Sequence, residues 1–299
     1  MSDQPPTAPL IDRLLFGDNQ FLGVNHMSEE RARAQAMRFQ DTSSVMEVLD
    51  IAYEEGVRTF MCTTHERIGQ VADRVRAAPE RYEHLTFFPG MPYAHKYANA
   101  MTEDGVVGAI RRFLPDQGLL DSAWRGGRSL ARKDAEGLVT LLVDSEMKMF
   151  RGLRTPVIFL QNVVVDFLLG LGVYDAFAMF AAHVREEYGA EPGFFTMNLP
   201  RLLDGLDRAA VENPIVCASM NKLGFRMCGG VAAYEHVLAE RTFRPIAMSV
   251  LASGAIPARE ALEWACALPN LQAIVFGASS RANIRSTRAI VDELWPERT

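Results

Sequence analysis

Two short apolar runs near the C-terminus constrain the fold of this 299-residue chain more than any other feature. Residues 245–251 and 271–276 are apolar, and residues 258–268 between them repeat apolar side chains at helical spacing. Strands that are apolar on both faces are typical of parallel sheets covered by helices, so this stretch predicts a strand–helix–strand unit. The pair Ser279-Ser280 follows the second strand and predicts the N-cap of a last helix over residues 281–294.

The same alternation of strands and helices continues through the chain from residue 11 to residue 299. Eight strand-like runs occur in order, at residues 14–17, 57–63, 85–88, 157–160, 193–196, 215–218, 245–251 and 271–276. Eight strand–helix units without an internal boundary predict a single-domain α/β fold, a closed (β/α)8 TIM barrel, preceded by a flexible tail over residues 1–10. An open doubly wound sheet is the alternative, but no Gly-x-Gly-x-x-Gly sequence opens a helix to support it.

Two helical insertions are predicted outside the eight repeats. One is a charged helix over residues 29–39, after strand 1, and the other lies within residues 115–155, before strand 4. Residues 167–188 have the pattern of one long helix. Ser44 and Glu47 have the spacing of a capping box at the start of another helix.

Net charge and cysteine usage limit the class of partner. The formal net charge is −6 and no basic run occurs, which disfavours nucleic acid and anionic membranes and leaves a small-molecule substrate. Four cysteines without paired spacing are typical of reduced thiols, so we expect a cytoplasmic protein. The most apolar stretch, residues 157–171, is interrupted by Gln161, Asn162 and Asp166 and is too short and too polar to span a bilayer.

Several strand ends carry motifs of one known family. The segment Met248-Ser-Val-Leu-Ala-Ser-Gly254 resembles the seventh-strand motif Y-S-P-L-A-S-G of the aldo-keto reductases, and Ile274-Val-Phe-Gly-Ala-Ser-Ser280 resembles their eighth-strand motif I-x-G-A-S. Residues 15–23, 48–60 and 195–198 are similar to the motifs of the first, second and fifth strands. The order of the matches along the chain is that of the family, so the chain resembles an aldo-keto reductase over most of its length.

This resemblance implies NADPH as cofactor and reduction of a carbonyl group as reaction. The positions that match cofactor contacts of the family are Asn198, Ser249, Gly277, Ser279, Ser280 and Arg281. The family's catalytic Asp, Tyr, Lys and His do not occur at the matching positions, where the chain has Cys62-Thr63-Thr64, Ile68, Pro89-Gly90-Met91 and Gln161-Asn162. We therefore expect an aldo-keto-reductase-like enzyme with a non-standard active site that acts on a small polar substrate, either a phosphorylated or a carbonyl compound.

The turn after strand 8 is also a candidate anion site on physical grounds. Backbone N–H groups after Gly277 and the start of the last helix favour an anion, and Arg281 would add a charged contact. We expect Gly277, Ala278, Ser279, Ser280 and Arg281 to bind a phosphate-bearing ligand. An ordinary capped helix start is the alternative.

Five side chains near strand ends are candidates for catalysis: Cys62, His65, Tyr93, Lys96 and Lys222. A cysteine near a histidine can become a nucleophilic thiolate, and a desolvated lysine can form a Schiff base with a carbonyl substrate. A lyase or isomerase that uses Lys222 or a metal is therefore an alternative to the reductase, and a barrel that only binds a ligand is a second alternative. The ordinary role of each group, a buried thiol for Cys62 and an exposed amine for Lys222, is the more common one.

A set of amides and imidazoles at the strand ends is predicted to bind the substrate. The set is Asn19, Gln20, His26, His95, Gln161, Asn162 and Asn221. His26, His65, His95 and Glu66 could also ligate a metal, but their spacing is not that of a metal motif, so no metal is expected.

Overall fold

The chain forms a closed barrel of eight parallel strands in the computed structural model, which describes residues 10–24, 28–93 and 139–295. The strands are β1 (Leu14–Gly17), β2 (Thr59–Thr63), β3 (Thr86–Met91), β4 (Val157–Leu160), β5 (Glu191–Thr196), β6 (Ile215–Ser219), β7 (Arg244–Met248) and β8 (Ala273–Phe276). Closure comes from β1 pairing with β8, where Phe16 lies beside Phe276. The predicted (β/α)8 barrel is confirmed, and the open doubly wound sheet is wrong.

Alternation along each strand separates two hydrophobic cores. Side chains such as Leu15, Met61, Phe88, Phe159 and Ile246 fill the inside of the barrel. Their neighbours point outward and pack under the surrounding helices. Because strands of this barrel are buried on both faces, their sequences are continuously apolar, which is the pattern that predicted them.

Nine α-helices that both begin and end within the described residues surround the strands. They are α1 (Glu29–Arg38), α2 (Thr42–Glu54), α3 (Glu66–Arg76), α4 (Asn162–Leu171), α5 (Asp175–Tyr188), α6 (Leu199–Arg208), α7 (Gly230–Glu240), α8 (Ala258–Cys266) and α9 (Arg281–Leu294). Ser280 is the N-cap of α9 and accepts a hydrogen bond from the Asn283 amide, as predicted.

Two predictions about helix boundaries are wrong. The single helix over residues 167–188 is two helices, because Gly172 adopts a left-handed conformation (φ 70°) that ends α4. The capping box that begins at Ser44 does not form, because α2 begins earlier, at Thr42. Asp41 is its N-cap and accepts the Ser44 amide at 2.8 Å.

Both predicted insertions are present in the described residues. Helix α1 follows β1, and residues 139–147 form a helix before β4, which we call the insertion helix. The tail over residues 1–9 and the part of the second insertion before residue 139 lie outside the described residues. Within the described chain, no helix combines the length and apolar character that a membrane span requires.

Candidate functional site

A buried carboxylate joins the ends of β1 and β2. Asp18 directly follows β1, and its Oδ2 accepts hydrogen bonds from the amide and the hydroxyl of Thr63, both at 2.7 Å. Only 6% of Asp18 is exposed, and burial raises the pKa of its carboxyl although the Thr63 bonds oppose the rise. The aspartate therefore fixes the carboxyl end of β2 from inside the mouth of the barrel.

A second buried carboxylate joins the ends of β2 and β3. Glu146, from the insertion helix, is 1% exposed. Its Oε2 accepts from the Thr64 hydroxyl and, at 3.1 Å, from the Tyr93 amide. The insertion helix thereby fixes the backbone of the residue that follows the third strand.

Two of the predicted catalytic residues meet at these strand ends. The rings of His65 and Tyr93 are 5.4 Å apart in an edge-to-face contact. His65 Nδ1 accepts from the Arg67 amide at 3.0 Å, and Arg67 Nη1 donates to the Phe21 carbonyl at 2.6 Å. The start of α3 thus orients the imidazole, and the arginine reaches the segment after β1.

The phenol of Tyr93 lies in a charged, half-buried environment. Burial raises its pKa, and the Asp18 carboxylate raises it further, whereas the Arg67 guanidinium lowers it. The hydroxyl therefore keeps its proton at neutral pH and can act as a hydrogen-bond donor or a general acid.

The sequence analysis did not identify three residues of this site, Asp18, Arg67 and Glu146. Only Asp18 gave a signal, as an acid directly after a strand.

A third carboxylate organises the end of β5. Asp166 of α4 accepts from the Thr196 hydroxyl at 2.6 Å and from the Met197 amide at 3.1 Å, and burial raises its pKa. Asn198, predicted to contact the cofactor, is the N-cap of α6 and accepts from the Arg201 amide at 3.4 Å. Gln161 and Asn162 lie at the start of α4, half-buried at the same end of the barrel.

Two predicted roles in the loop after β6 lose their support. Asn221 is fully buried, and its amide group bonds the backbone of Phe225 at 2.8 and 2.9 Å, so it shapes the loop and does not face a ligand. Lys222 forms an ion pair with Glu260. Because its amine is already paired with a carboxylate, the structure gives Lys222 no support as a nucleophile.

Cys62 is also unsuited to nucleophilic catalysis. Its side chain packs in the outer core, on the helix side of β2, and is 3% exposed. Burial raises the pKa of the thiol well above 9.0, and the charge of Asp18 adds to the rise. The thiol is therefore protonated and structural, which is the more common role.

The loops after β1 and β8 interlock. Gln20, which is 5% exposed, donates from Nε2 to the Gly17 carbonyl at 2.8 Å. Its Oε1 lies 2.4 Å from the position that a Cβ on Gly277 would take. The carboxamide of Gln20 therefore explains why position 277 requires glycine. Asn19 lies beside it in a short 3-10 helix, Asn19–Leu22.

Two carboxylates, those of Glu54 and Glu55, bind the arginine of the predicted anion site. Arg281 turns away from the loop and donates to Glu55 at 2.9 Å and to Glu54 at 2.5 Å. The Ser279 carbonyl accepts from Arg38 Nη2 at 2.7 Å. The charge of Arg281 is thus neutralised within the protein, and an arginine of α1 lies at the loop in its place.

Ser249 lies across the same end of the barrel. Its backbone is left-handed (φ 56°), and its hydroxyl is 3.4 Å from that of Ser219, at the end of β6.

His26, His95 and Lys96 lie outside the described residues, and their roles stay predictions. Within residues 10–24, 28–93 and 139–295, no group of three His, Cys, Asp or Glu side chains is placed to hold a metal ion.

Two depressions lie at the opposite end of the barrel, where the strands begin. One of about 460 Å³ is lined by Arg185, Glu191, Ala210, Glu212, Asn213 and Arg244. One of about 690 Å³ is lined by residues that include Arg13, Arg241, Cys266, Gln272 and Trp295. Neither includes a predicted site residue, and this end of such barrels generally serves stability.

Comparison with known proteins identifies the architecture. No family model and no curated protein matches the chain by sequence. Among solved structures, it is similar to a proposed aldo-keto reductase from Pseudomonas aeruginosa, with a TM-score of 0.57 and 14% identity over 94% of this chain and 90% of that one. It is also similar to aldose reductase from Giardia lamblia, with a TM-score of 0.55 and 12% identity over 95% and 89%.

A third similar structure contains a bound cofactor. A variant of Gox0644 in complex with NADPH matches with a TM-score of 0.51 and 10% identity, over 84% of this chain and 79% of that one. At these identities the matches establish the fold alone. The chain has the eight-stranded barrel found in aldo-keto reductases.

Proposed function

We propose that the chain is an oxidoreductase that reduces a carbonyl group of a small polar substrate with NADPH. The proposal places Tyr93 as the general acid. Its main support is the position of the Tyr93 phenol at the carboxyl ends of the strands, protonated and beside Asp18, Arg67 and His65. Active sites of such barrels lie at that end, and the structural neighbours include reductases.

The residues between the ends of β7, β8 and β1 fit a dinucleotide in their chemistry. Ser249, Ser279 and Ser280 offer hydroxyls there, and Gln20 Oε1 is a buried acceptor without a partner among the described residues. In this proposal these groups would hold NADPH, which when bound would supply a hydride. Arg281, which is paired with Glu54 and Glu55, is left out of the set.

The polar groups near Tyr93 have distinct roles in this proposal. The phenol donates its proton to the carbonyl oxygen as negative charge develops there. The charge of Asp18 raises the pKa of the phenol, and the guanidinium of Arg67 opposes that rise. His65 packs edge-on against the ring, and Glu146 fixes the backbone amide of Tyr93.

Replacement of Tyr93 by phenylalanine tests the assignment. Phenylalanine keeps the ring but removes the proton, so we expect Tyr93→Phe to lower kcat by about 100-fold or more. The readout is NADPH oxidation with a panel of aldehydes and ketones, together with NADPH binding followed by protein fluorescence. Binding should stay within about twofold of wild type, because the substitution removes only a group that acts in the transition state.

Tyr82 provides the matched control. Its hydroxyl donates to Asp50 of α2 at 2.5 Å, before the start of β3 and away from the strand ends that carry the site, so Tyr82→Phe should leave kcat unchanged. A Tyr93→Phe enzyme with wild-type kcat would refute the role of Tyr93. A folded wild-type protein that oxidises no NADPH with any carbonyl in the panel would refute the reaction.

A further inference from the structure

We propose that Arg31 and Arg38 of α1 bind the phosphate groups of the nucleotide cofactor, with α1 forming one wall of the cofactor site. This inference rests on the proposed function and deepens it. It assigns anion binding to arginines of α1, the helix inserted after β1. The prediction from sequence had assigned it to Arg281, at the start of α9.

The position of the two arginines is the first support. Arg31 Nη1 lies 3.3 Å from the position that a Cβ on Gly254 would take, in the loop after β7. Arg38 Nη2 donates to the Ser279 carbonyl at 2.7 Å, in the loop after β8. One helix therefore presents two guanidinium groups to the two loops that carry the serine hydroxyls.

The second support is that no carboxylate of the described chain neutralises these two arginines. Both are exposed, and within the described chain neither forms an ion pair with a carboxylate. Arg33 on the same helix differs, because it is paired with Glu29 at 3.0 Å. Arg31 and Arg38 thus keep a positive charge available to a ligand, and planar guanidinium groups can bind phosphate through two parallel hydrogen bonds.

The arginines of α9 show the opposite arrangement. Arg281 and Arg285 both donate to the carboxylate of Glu55, and Arg288 donates to its backbone carbonyl. Arg281 also pairs with Glu54 at 2.5 Å. The positive charge at the start of α9 is therefore used to attach α9 to α2.

Two unpartnered acceptors are the third and independent support. The buried side-chain oxygens without a hydrogen-bond partner among the described residues are Gln20 Oε1 and Gln35 Oε1. Gln20 is 5% exposed and directed at Gly277, and Gln35 lies on α1 between the two arginines. A buried acceptor requires an O–H or N–H donor. A nucleotide supplies phosphate oxygens for the arginines and ribose hydroxyls for the amides.

The low burial of α1 agrees with a ligand-binding role. No residue of this helix is buried as a whole, although the single atom Gln35 Oε1 is, so the helix contributes little to the hydrophobic core. It packs closely against Gly23, where an added Cβ would lie 2.9 Å from the Ala36 side chain. Core packing therefore does not account for the placement of two arginines over the loops after β7 and β8.

Affinity for NADPH, measured by isothermal titration calorimetry, tests the inference without reference to activity. Arg31→Ala and Arg38→Ala should each weaken binding by about tenfold, the size expected for one charged hydrogen bond. The dependence of affinity on salt should be shallower in both variants, because fewer charges are paired on binding.

Two arginine substitutions serve as controls. Arg33→Ala removes a charge from the same helix, and Arg281→Ala removes the arginine that sequence alone favours. Both should bind NADPH within about twofold of wild type. Thermal melting checks that every variant is folded, and Arg38→Lys, which keeps the charge, should retain more affinity than Arg38→Ala.

The outcomes separate this inference from the proposed function. If wild type binds NADPH and the Arg31 and Arg38 variants bind it equally well, or if Arg281→Ala is the damaging change, the inference is overturned. If wild type does not bind NADPH, the proposed function fails. Titration with inorganic pyrophosphate then tests whether Arg31 and Arg38 form an anion site. Pyrophosphate binding that is lost in Arg31→Ala and Arg38→Ala would support a phosphate site there, and absence of binding would overturn it.

Discussion

At the scale of single residues, Glu55 determines what the arginines of α9 can do. Its side chain is 12% exposed and accepts from Arg281 and Arg285 at 2.8 to 3.0 Å. These bonds lower the pKa of Glu55 to about 2. The role of Arg281 could not be read from sequence, because its partner Glu55 lies 226 residues earlier in the chain.

The lowered pKa of Glu55 predicts a specific loss of stability in acid. A carboxyl whose folded pKa lies below its ordinary value of 4.5 stabilises the fold above that value and loses the contribution as pH falls toward about 2. The urea midpoint of wild type should therefore fall more steeply between these pH values than that of Glu55→Gln. Glu29→Gln, which breaks only the exposed pair with Arg33, should follow wild type. Parallel curves for wild type and Glu55→Gln would contradict the assignment.

At the scale of elements, the insertion helix connects the outer surface to the site. Asp144 accepts from Tyr188 at 2.6 Å and lies 2.6 Å from His183 Nε2, which attaches the helix to α5. Glu146 reaches inward to Thr64 and Tyr93. The sequence predicted a helical insertion here, but residues 139–147 gave no sign that one acid faces the solvent side and another faces the strand ends.

Glu146 is therefore expected to position Tyr93. Glu146→Ala removes the acceptor of the Tyr93 amide and should lower kcat by about tenfold through misplacement of the phenol, with little change in NADPH affinity. Glu146→Gln keeps one carbonyl oxygen at this point and should restore most of the loss. Steady-state kcat, the KM of the carbonyl substrate and NADPH affinity are the readouts. Equal kcat in all three proteins, or equal loss in both variants, would contradict a positioning role.

Helix boundaries show where sequence patterns reach their limit. Strands were predicted to within about three residues, because a strand covered on both faces is apolar throughout. The division between α4 and α5 was missed because apolar residues continue past Gly172, and only the left-handed backbone there ends the helix. The N-cap of α2 was misplaced because Asp41 and Ser44 are both good capping residues, and Asp41 accepts from Ser44.

At the scale of the whole molecule, the mouth of the barrel has two regions with different chemistry. The ends of β1, β2 and β3 gather Asp18, His65, Tyr93 and Glu146. The ends of β7 and β8, with α1 across them, gather serine hydroxyls and arginines. Sequence predicted the barrel and named Tyr93, His65 and the serines, since all follow strands. It could not predict which charges are neutralised by other charges, because those partners come from distant elements.

Transfer of the hydride is the most direct test of the central claim. Wild-type protein is incubated with NADPH deuterated at C4 of the nicotinamide ring and with the panel of carbonyl compounds, and the products are analysed by mass spectrometry. We expect deuterium on the former carbonyl carbon of at least one alcohol product. In Tyr93→Phe the same product should form about 100-fold or more slowly. Folded protein that leaves NADPH and every carbonyl compound unchanged, or that forms a product without deuterium, would contradict the account.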